Sequence, residues 1–184
     1  MIYISGKKGF IGSHLANQFR GQGHEVISEE FRLKDIESLL DIKPEVIIHC
    51  AARVGSKSCE DDRDRAFEDN VEGTYRIVEV ARKLKSYFIY VSSIAVYDFC
   101  KGRNYITENT PVKPFTWYGR TKYLGEIIAS EIDPLILRLG FVYGLPEEDK
   151  HSLISSLMQG INIPLVGNYS KDYIYIDDCV GDMV

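Results

Sequence analysis

The chain has 184 residues, 45% of them apolar and 27% charged, with a formal charge of −5. That balance is globular rather than disordered and fits about one domain. It also lacks the basic footprint that general nucleic-acid binding requires, although a small basic pocket is compatible with it.

No apolar run approaches the roughly 18 residues of a membrane span, and the longest, residues 45–52, is strand-sized. A soluble protein with no membrane partner is expected. The start, Met1-Ile2-Tyr3-Ile4-Ser5-Gly6, has no basic region, long apolar stretch or cleavage site of a signal peptide and enters directly into a strand, so a cytoplasmic chain is expected. Cys50, Cys59, Cys100 and Cys179 are irregularly spaced with no C-x-x-C, which predicts reduced thiols, no disulfide framework and no metal site.

Along the chain, short β-rich runs alternate with segments of helical period. Strands are expected at residues 2–4, 26–27, 46–49, 87–91 and 135–139. The first helix puts Ile11, Leu15 and Phe19 on one stripe. A second, beginning near Asn70, offers Val71, Tyr75 and Val78 with Ile77, Ala81 and Leu84 beside them. A third, from Trp117, carries Leu124, Ile127 and Ile128 on one side and stops at Asp133-Pro134, since proline cannot continue a helix. Strict β/α alternation implies a doubly wound parallel sheet covered on both faces. Residues 98–115, polar and containing Pro111 and Pro114, form the longest expected loop. After Gly144 the pattern weakens to a short helix at 151–158 and strands at 163–166 and 172–176, and the last element reads as unfinished.

Gly6-Lys7-Lys8-Gly9-Phe10-Ile11-Gly12 is G-x-x-G-x-x-G, directly after the first strand and at the mouth of the first helix. Glycines tighten such a turn and let backbone N–H groups approach a pyrophosphate, while the helix N-terminus adds partial positive charge. A ligand-free glycine turn is the plain alternative, but the position in the first βα unit favours a dinucleotide. Ser28-Glu29-Glu30 ends the second strand, where Glu30 would accept hydrogen bonds from an adenosine ribose and favour NAD. Lys8 and Arg32 could instead neutralise the extra phosphate of NADP. The choice within NAD(P) stays open, with a slight lean to NADP.

Tyr118-Gly119-Arg120-Thr121-Lys122 is Y-x-x-x-K at a helix start, so phenol and ammonium share a face one turn apart. A phenol titrating near 10 is a poor base at neutral pH, and a nearby cation favours its phenolate. A surface Tyr/Lys pair gives the same pattern by chance. Upstream, the fourth strand runs into Ser92-Ser93-Ile94-Ala95-Val96-Tyr97, placing hydroxyls at the carboxyl edge of the sheet, where open α/β folds bind ligands.

Taken in order, these motifs resemble the extended short-chain dehydrogenase/reductase family of nucleotide-sugar epimerases, dehydratases and reductases, and the likeness covers nearly the whole chain. It includes Asp35-Ile36, similar to the family's adenine-contacting position, and His49-Cys50-Ala51-Ala52, similar to the stretch lying along the cofactor. It continues with Asn70-Val71-Glu72-Gly73-Thr74, the Arg138–Gly144 segment and residues 172–178. Taken singly, His49, Asn70 and Asp35 are equally explained as satisfied polar or capping residues. The resemblance implies a Rossmann-like NAD(P)-binding domain over residues 1–145 and a partial, truncated C-terminal substrate-binding region over 146–184.

The resemblance also implies a mechanism. Tyr118 would exchange a proton with a substrate oxygen, Ser93 would hydrogen-bond that oxygen, and Lys122 would depress the tyrosine pKa while binding the nicotinamide ribose. The cofactor-binding set is Gly6, Lys8, Gly9, Phe10, Ile11, Gly12, Glu30, Arg32, Asp35, Ile36, Ala51, Ala52, Asn70, Tyr118 and Lys122. The implied substrate is a nucleotide-linked sugar, and paired helices near 70–84 and 117–132 would form a homodimer. Asp98 after Tyr97, Leu145 before Pro146, and an end at Val184 depart from the family pattern. A dinucleotide-binding module without catalysis, or a shortened piece of a larger enzyme, are therefore the competing readings.

Overall fold

The computed structural model describes residues 1–27, 33–97, 106–145, 153–162 and 172–183, with the main chain alone at 33 and 34. Strand β1 (Ile2–Ser5) leads into helix α1 (Phe10–Gly21). A 3-10 turn (Leu33–Ser38) and α2 (Leu39–Ile42) precede β2 (Val46–His49). Next come α3 (Ser56–Asp61), α4 (Arg63–Phe67), one π-helical turn (Glu68–Glu72) and α5 (Gly73–Leu84). Strand β3 (Tyr87–Ser93) is followed by α6 (Trp117–Ala129), β4 (Leu135–Leu139) and β5 (Phe141–Tyr143). The described chain closes with α7 (Leu153–Met158), β6 (Tyr173–Tyr175) and α8 (Ile176–Gly181).

Strands β1, β2, β3 and β4 form a parallel sheet in that order, with Ile4 opposite Ile48, Ile48 opposite Ile89 and Val91 opposite Leu137. The strand expected at 26–27 is reduced to one parallel bridge between Val26 and Ile2 on the other edge of β1. The chain therefore steps to one side of β1 and returns to the other. Ligands of open α/β sheets bind at the carboxyl ends where the strand order reverses in this way. A separate parallel pair, β5 with β6, lies beyond β4 in sequence.

Alternating strand residues face two apolar layers, as a sheet covered on both sides demands. Tyr3, Ile47, Phe88 and Tyr90 pack with Ile36, Leu39, Ile77, Val78 and Ala129. Ile2, Ile4, Ile48, Ile89 and Val91 pack with Leu15, Phe19, Ile176 and Val180. The sheet is thus doubly wound, and α8, within the 146–184 segment, closes the same core as α1.

The expected face of the second long helix is inward at Val71, Ile77, Val78, Ala81 and Leu84 but not at Tyr75, and that of α6 is corrected more widely. The second long helix starts earlier than Asn70, at Arg63, and reaches α5 through the π turn. Thr74, not Tyr75, takes the inward position one turn after Val71, and Tyr75 is 53% exposed. On α6 only Ile128 of the expected apolar stripe packs on the core; Ile127 is 51% and Leu124 37% exposed, while Gly119, Thr121, Lys122, Gly125, Glu126 and Ala129 are buried. The physical reason is proximity to β3. A Cβ on Gly119 would strike the Ala95 carbonyl, and one on Gly125 would strike the Tyr90 phenol, so large branched apolar side chains do not fit at those points of the face.

Candidate active site

The carboxyl ends of β1, β2 and β3 open into a cleft of about 1040 Å³. At one end Gly6 turns with φ +70°, and a Cβ there would lie 2.8 Å from the Ala51 nitrogen. The Gly9 N–H donates to the Gly6 carbonyl at 2.8 Å, and a Cβ on Gly12 would collide with that same carbonyl. The main chain thus packs on itself where only glycine fits. Helix α1 begins at this turn without a side-chain cap, leaving the N–H groups of Phe10, Ile11 and Gly12 without intrahelical partners. Together with the helix dipole, these donors fit the pyrophosphate of a dinucleotide.

Opposite this loop, β3 delivers Ser93 and α6 delivers Tyr118 and Lys122. Thr116 caps α6, its hydroxyl accepting from the Gly119 N–H at 3.1 Å, so phenol and ammonium leave the helix one turn apart. Ser93 lies beside the Tyr118 phenol and favours its charged form, and its Oγ accepts from the Ala95 N–H at 3.2 Å. Lys122 is 2% exposed, with Nζ 4.2 Å from the centroid of the Tyr90 ring.

The electrostatics qualify the sequence expectation. Burial pushes the Tyr118 phenol above its ordinary value, and the opposing pulls of Lys122 and Ser93 are smaller. Burial likewise lowers Lys122, against the stabilising influence of Tyr118, Cys50 and Glu126. Lys122 acts in the expected direction, but desolvation outweighs it and the phenol stays protonated at neutral pH.

Gly6, Gly9, Phe10, Ile11, Gly12, Ala51, Ala52, Ser93, Tyr118 and Lys122 all line this one cleft. Other predicted residues lie elsewhere. Lys8 is exposed and outside the lining, whereas its neighbour Lys7 donates at 3.3 Å to the carbonyl of Ile27, the residue after the Val26 bridge. Asp35 is exposed, and the Ile36 side chain is in the core, because the 3-10 turn that carries it packs on α5. Asn70 is 1% exposed; its amide accepts from the Arg53 N–H at 2.7 Å and donates to the Arg53 carbonyl and to Thr121 Oγ1, both at 3.0 Å. It holds the stretch after β2 in place rather than lining the cleft. Glu30, Arg32 and Asp98 fall outside the described residues, as does the strand expected at 163–166.

The sequence reading missed Val54, Gly55 and Thr116, which carry no chemical signature, and gave the Leu139–Val142 wall no site role although its segment belongs to the family resemblance. It also missed Glu126, buried one turn beyond Lys122. Glu126 accepts from Ser92 Oγ at 2.5 Å and from Arg138 Nε and Nη2 at 2.9 and 2.7 Å, while Arg138 Nη1 donates to the Tyr97 hydroxyl at 2.6 Å. This cluster ties the ends of β3 and β4 to α6. The Y-x-x-x-K motif extended by four residues to Glu126 was the available signal.

Comparison with known proteins agrees with this geometry. The chain is 28% identical to a UDP-glucose 4-epimerase of Mycolicibacterium smegmatis, covering 98% of this chain and 71% of that protein. It superposes on the structure of MoeE5 in complex with UDP-glucose and NAD with a TM-score of 0.83 at 24% identity, covering 97% of this chain and 69% of that one. For dTDP-4-dehydrorhamnose reductase from Bacillus anthracis in complex with NADP the TM-score is 0.81 at 19% identity, covering 99% and 68%. The chain spans between 52% and 71% of the length of the curated relatives it matches. The family described as RmlD substrate binding domain matches residues 1–162. With that match over most of its length, the chain belongs to the RmlD substrate binding domain family, within the extended short-chain dehydrogenase/reductase group of nucleotide-sugar-modifying proteins.

Proposed function

We propose that the chain carries the catalytic half of an NAD(P)-dependent oxidoreductase or epimerase acting on a nucleotide-linked sugar. The observation that carries this reading is the convergence, on one cleft, of an uncapped glycine-lined helix start with Ser93, Tyr118 and buried Lys122. In this reading the N–H groups of Phe10, Ile11 and Gly12 hold the pyrophosphate. The main chain at Ala51 and Ala52 lies along the dinucleotide, and Asp35 with the Ile36 backbone meets the adenine. Lys8 in the glycine loop, with Lys7 reaching the Ile27 carbonyl, keeps the lean to NADP.

A nicotinamide bound in this cleft supplies or accepts the hydride. Tyr118 then gives a proton to a carbonyl oxygen of the sugar, or takes one from its hydroxyl, and Ser93 hydrogen-bonds the same oxygen. Lys122 favours the charged state of the phenol at that moment. Burial favours the protonated form of Tyr118, the form that donates a proton in the keto-reducing direction. The opposite direction needs phenolate. A homodimer through α5 and α6 belongs to the same reading, supported by exposed Tyr75, Leu124 and Ile127 on those helices.

Two measurements test it. A dinucleotide present at a hundred times its dissociation constant stabilises the folded chain by about 2.7 kcal/mol, or roughly 5–10 °C for a chain of this size. One of NAD, NADH, NADP or NADPH should produce that shift, and no shift with any of them rejects the reading. Tyr118→Phe should retain the shift and lose turnover of a keto sugar by about 100-fold or more. Unchanged turnover would remove Tyr118 from the mechanism.

A further inference from the structure

We propose that His49 is a positioning residue, joining the glycine loop to the Tyr118/Lys122 helix through a buried hydrogen-bond chain that runs Ser5–His49–Thr74–Asn70–Thr121. The proposal rests on the dinucleotide reading above for its functional consequence, but the chain itself is fixed by donor and acceptor bookkeeping in the unliganded protein.

Thr121 Oγ1 donates to the Tyr118 carbonyl at 2.9 Å and accepts from Asn70 Nδ2 at 3.0 Å. The second Nδ2 hydrogen goes to the Arg53 carbonyl. Thr74 Oγ1 has one hydrogen, given to the Asn70 main-chain carbonyl at 2.6 Å, so toward His49 Nε2, 3.1 Å away, it can only accept. His49 therefore carries its proton on Nε2. Its bare Nδ1 accepts from Ser5 Oγ at 2.6 Å, and Ser5 Oγ in turn accepts from the Ala51 N–H at 3.2 Å. Every link has one allowed direction. Ser5, His49, Thr74, Asn70 and Thr121 are each at most 1% exposed, so a reversed or missing link would leave an unpaired buried polar group.

The two ends give the chain its meaning. Ser5 immediately precedes Gly6, and its partner Ala51 is the residue against which Gly6 packs. Thr121 immediately precedes Lys122 and holds the first turn of α6 through Tyr118. The imidazole spans the sheet-to-helix gap with two nitrogens on opposite sides, which no apolar side chain of similar volume could do. Burial keeps the ring neutral, in accord with a fixed tautomer.

Asparagine and glutamine divide the ring's two functions, since the Asn amide reaches the place of Nδ1 and the Gln amide that of Nε2. His49→Asn keeps an acceptor for Ser5 and loses the donor to Thr74; His49→Gln does the reverse. With folded variants, His49→Gln should weaken dinucleotide binding by about ten-fold with kcat nearly retained. His49→Asn should retain binding and lower kcat by about ten-fold. Equal effects of both variants on both parameters would overturn the positioning role.

Readouts on the unliganded protein separate failure of this proposal from failure of the dinucleotide reading. Amide exchange should rise at Ala51 in His49→Gln and at residues 121–122 in His49→Asn. Nitrogen NMR of the wild-type histidines should show one ring with protonated Nε2 and bare Nδ1 that does not change across neutral pH. The opposite tautomer, or a ring titrating near neutrality, would overturn the chain even if a dinucleotide binds. If the exchange and NMR results hold but no dinucleotide binds, the chain stands as a link between the two elements and the cofactor reading falls.

Discussion

Removing the Glu126 carboxylate should be among the most damaging single changes outside the apolar core. Glu126 is 3% exposed and accepts three hydrogen bonds, two of them from Arg138, whose side chain is 25% exposed. Glu126→Ala leaves the guanidinium with the Tyr97 hydroxyl and ring and strands the Ser92 hydroxyl at the end of β3. Breaking a buried pair from one side costs about 3–5 kcal/mol, a large part of a typical total of roughly 5–15 kcal/mol. Removing both charges is far milder, because replacing a buried pair by packed apolar groups is often nearly neutral. Glu126→Leu with Arg138→Met should therefore cost less than Glu126→Ala alone, with a coupling of at least about 1 kcal/mol in a double-mutant cycle. Urea unfolding followed by circular dichroism, with the m-value checked for constancy, measures all the variants. A loss within about 0.5 kcal/mol for Glu126→Ala, as for ordinary surface changes, or strict additivity in the cycle, would refute the argument.

Acid should unfold the protein partly through His49. Its value falls from 6.5 in the unfolded chain to about 3 in the fold, chiefly by burial and secondly through Lys122. The unfolded chain takes up the proton first, so this stability is complete above pH 6.5 and is lost as the pH drops toward 3. At roughly 1.4 kcal/mol per pH unit the loss reaches about 5 kcal/mol, and His49→Gln should flatten it in urea midpoints measured between pH 7 and 4. Parallel pH profiles for wild type and variant would exclude His49. Gly12→Ala should abolish the dinucleotide-induced thermal shift and cost about 1–3 kcal/mol, since the added methyl meets the Gly6 carbonyl; retained binding would show that the loop yields. Oxidation-direction turnover should rise with alkalinity, because Tyr118 titrates above its ordinary value. Lys122→Met should move that rise to still higher pH, and an unmoved profile would remove Lys122 from the electrostatics.

Much of the site was legible because it is made of local patterns with a chemical reason. The glycine spacing after β1, the serines ending β3 and the Tyr118/Lys122 pair each sit within one βα unit, where period and turn chemistry fix the backbone. The same residues line one cleft in the fold. Resemblance to a family then ordered them. Sequence periodicity found the inward face of α5 except at Tyr75, but it could not decide which face of α6 turns inward. On α6 the close approach to β3 inverts the amphipathic rule, burying Lys122 and Glu126 and exposing Ile127. Nor could spacing alone show that Asn70 acts on the main chain of Arg53 or that Glu126 meets Arg138, since those partners are set by strand order. Composition and local geometry determined an α/β chain with a phosphate-binding start and a tyrosine–lysine pair. Only the tertiary structure decided which buried polar groups face one another and whether burial or charge governs the phenol, because desolvation and hydrogen-bond direction depend on neighbours far apart in the chain.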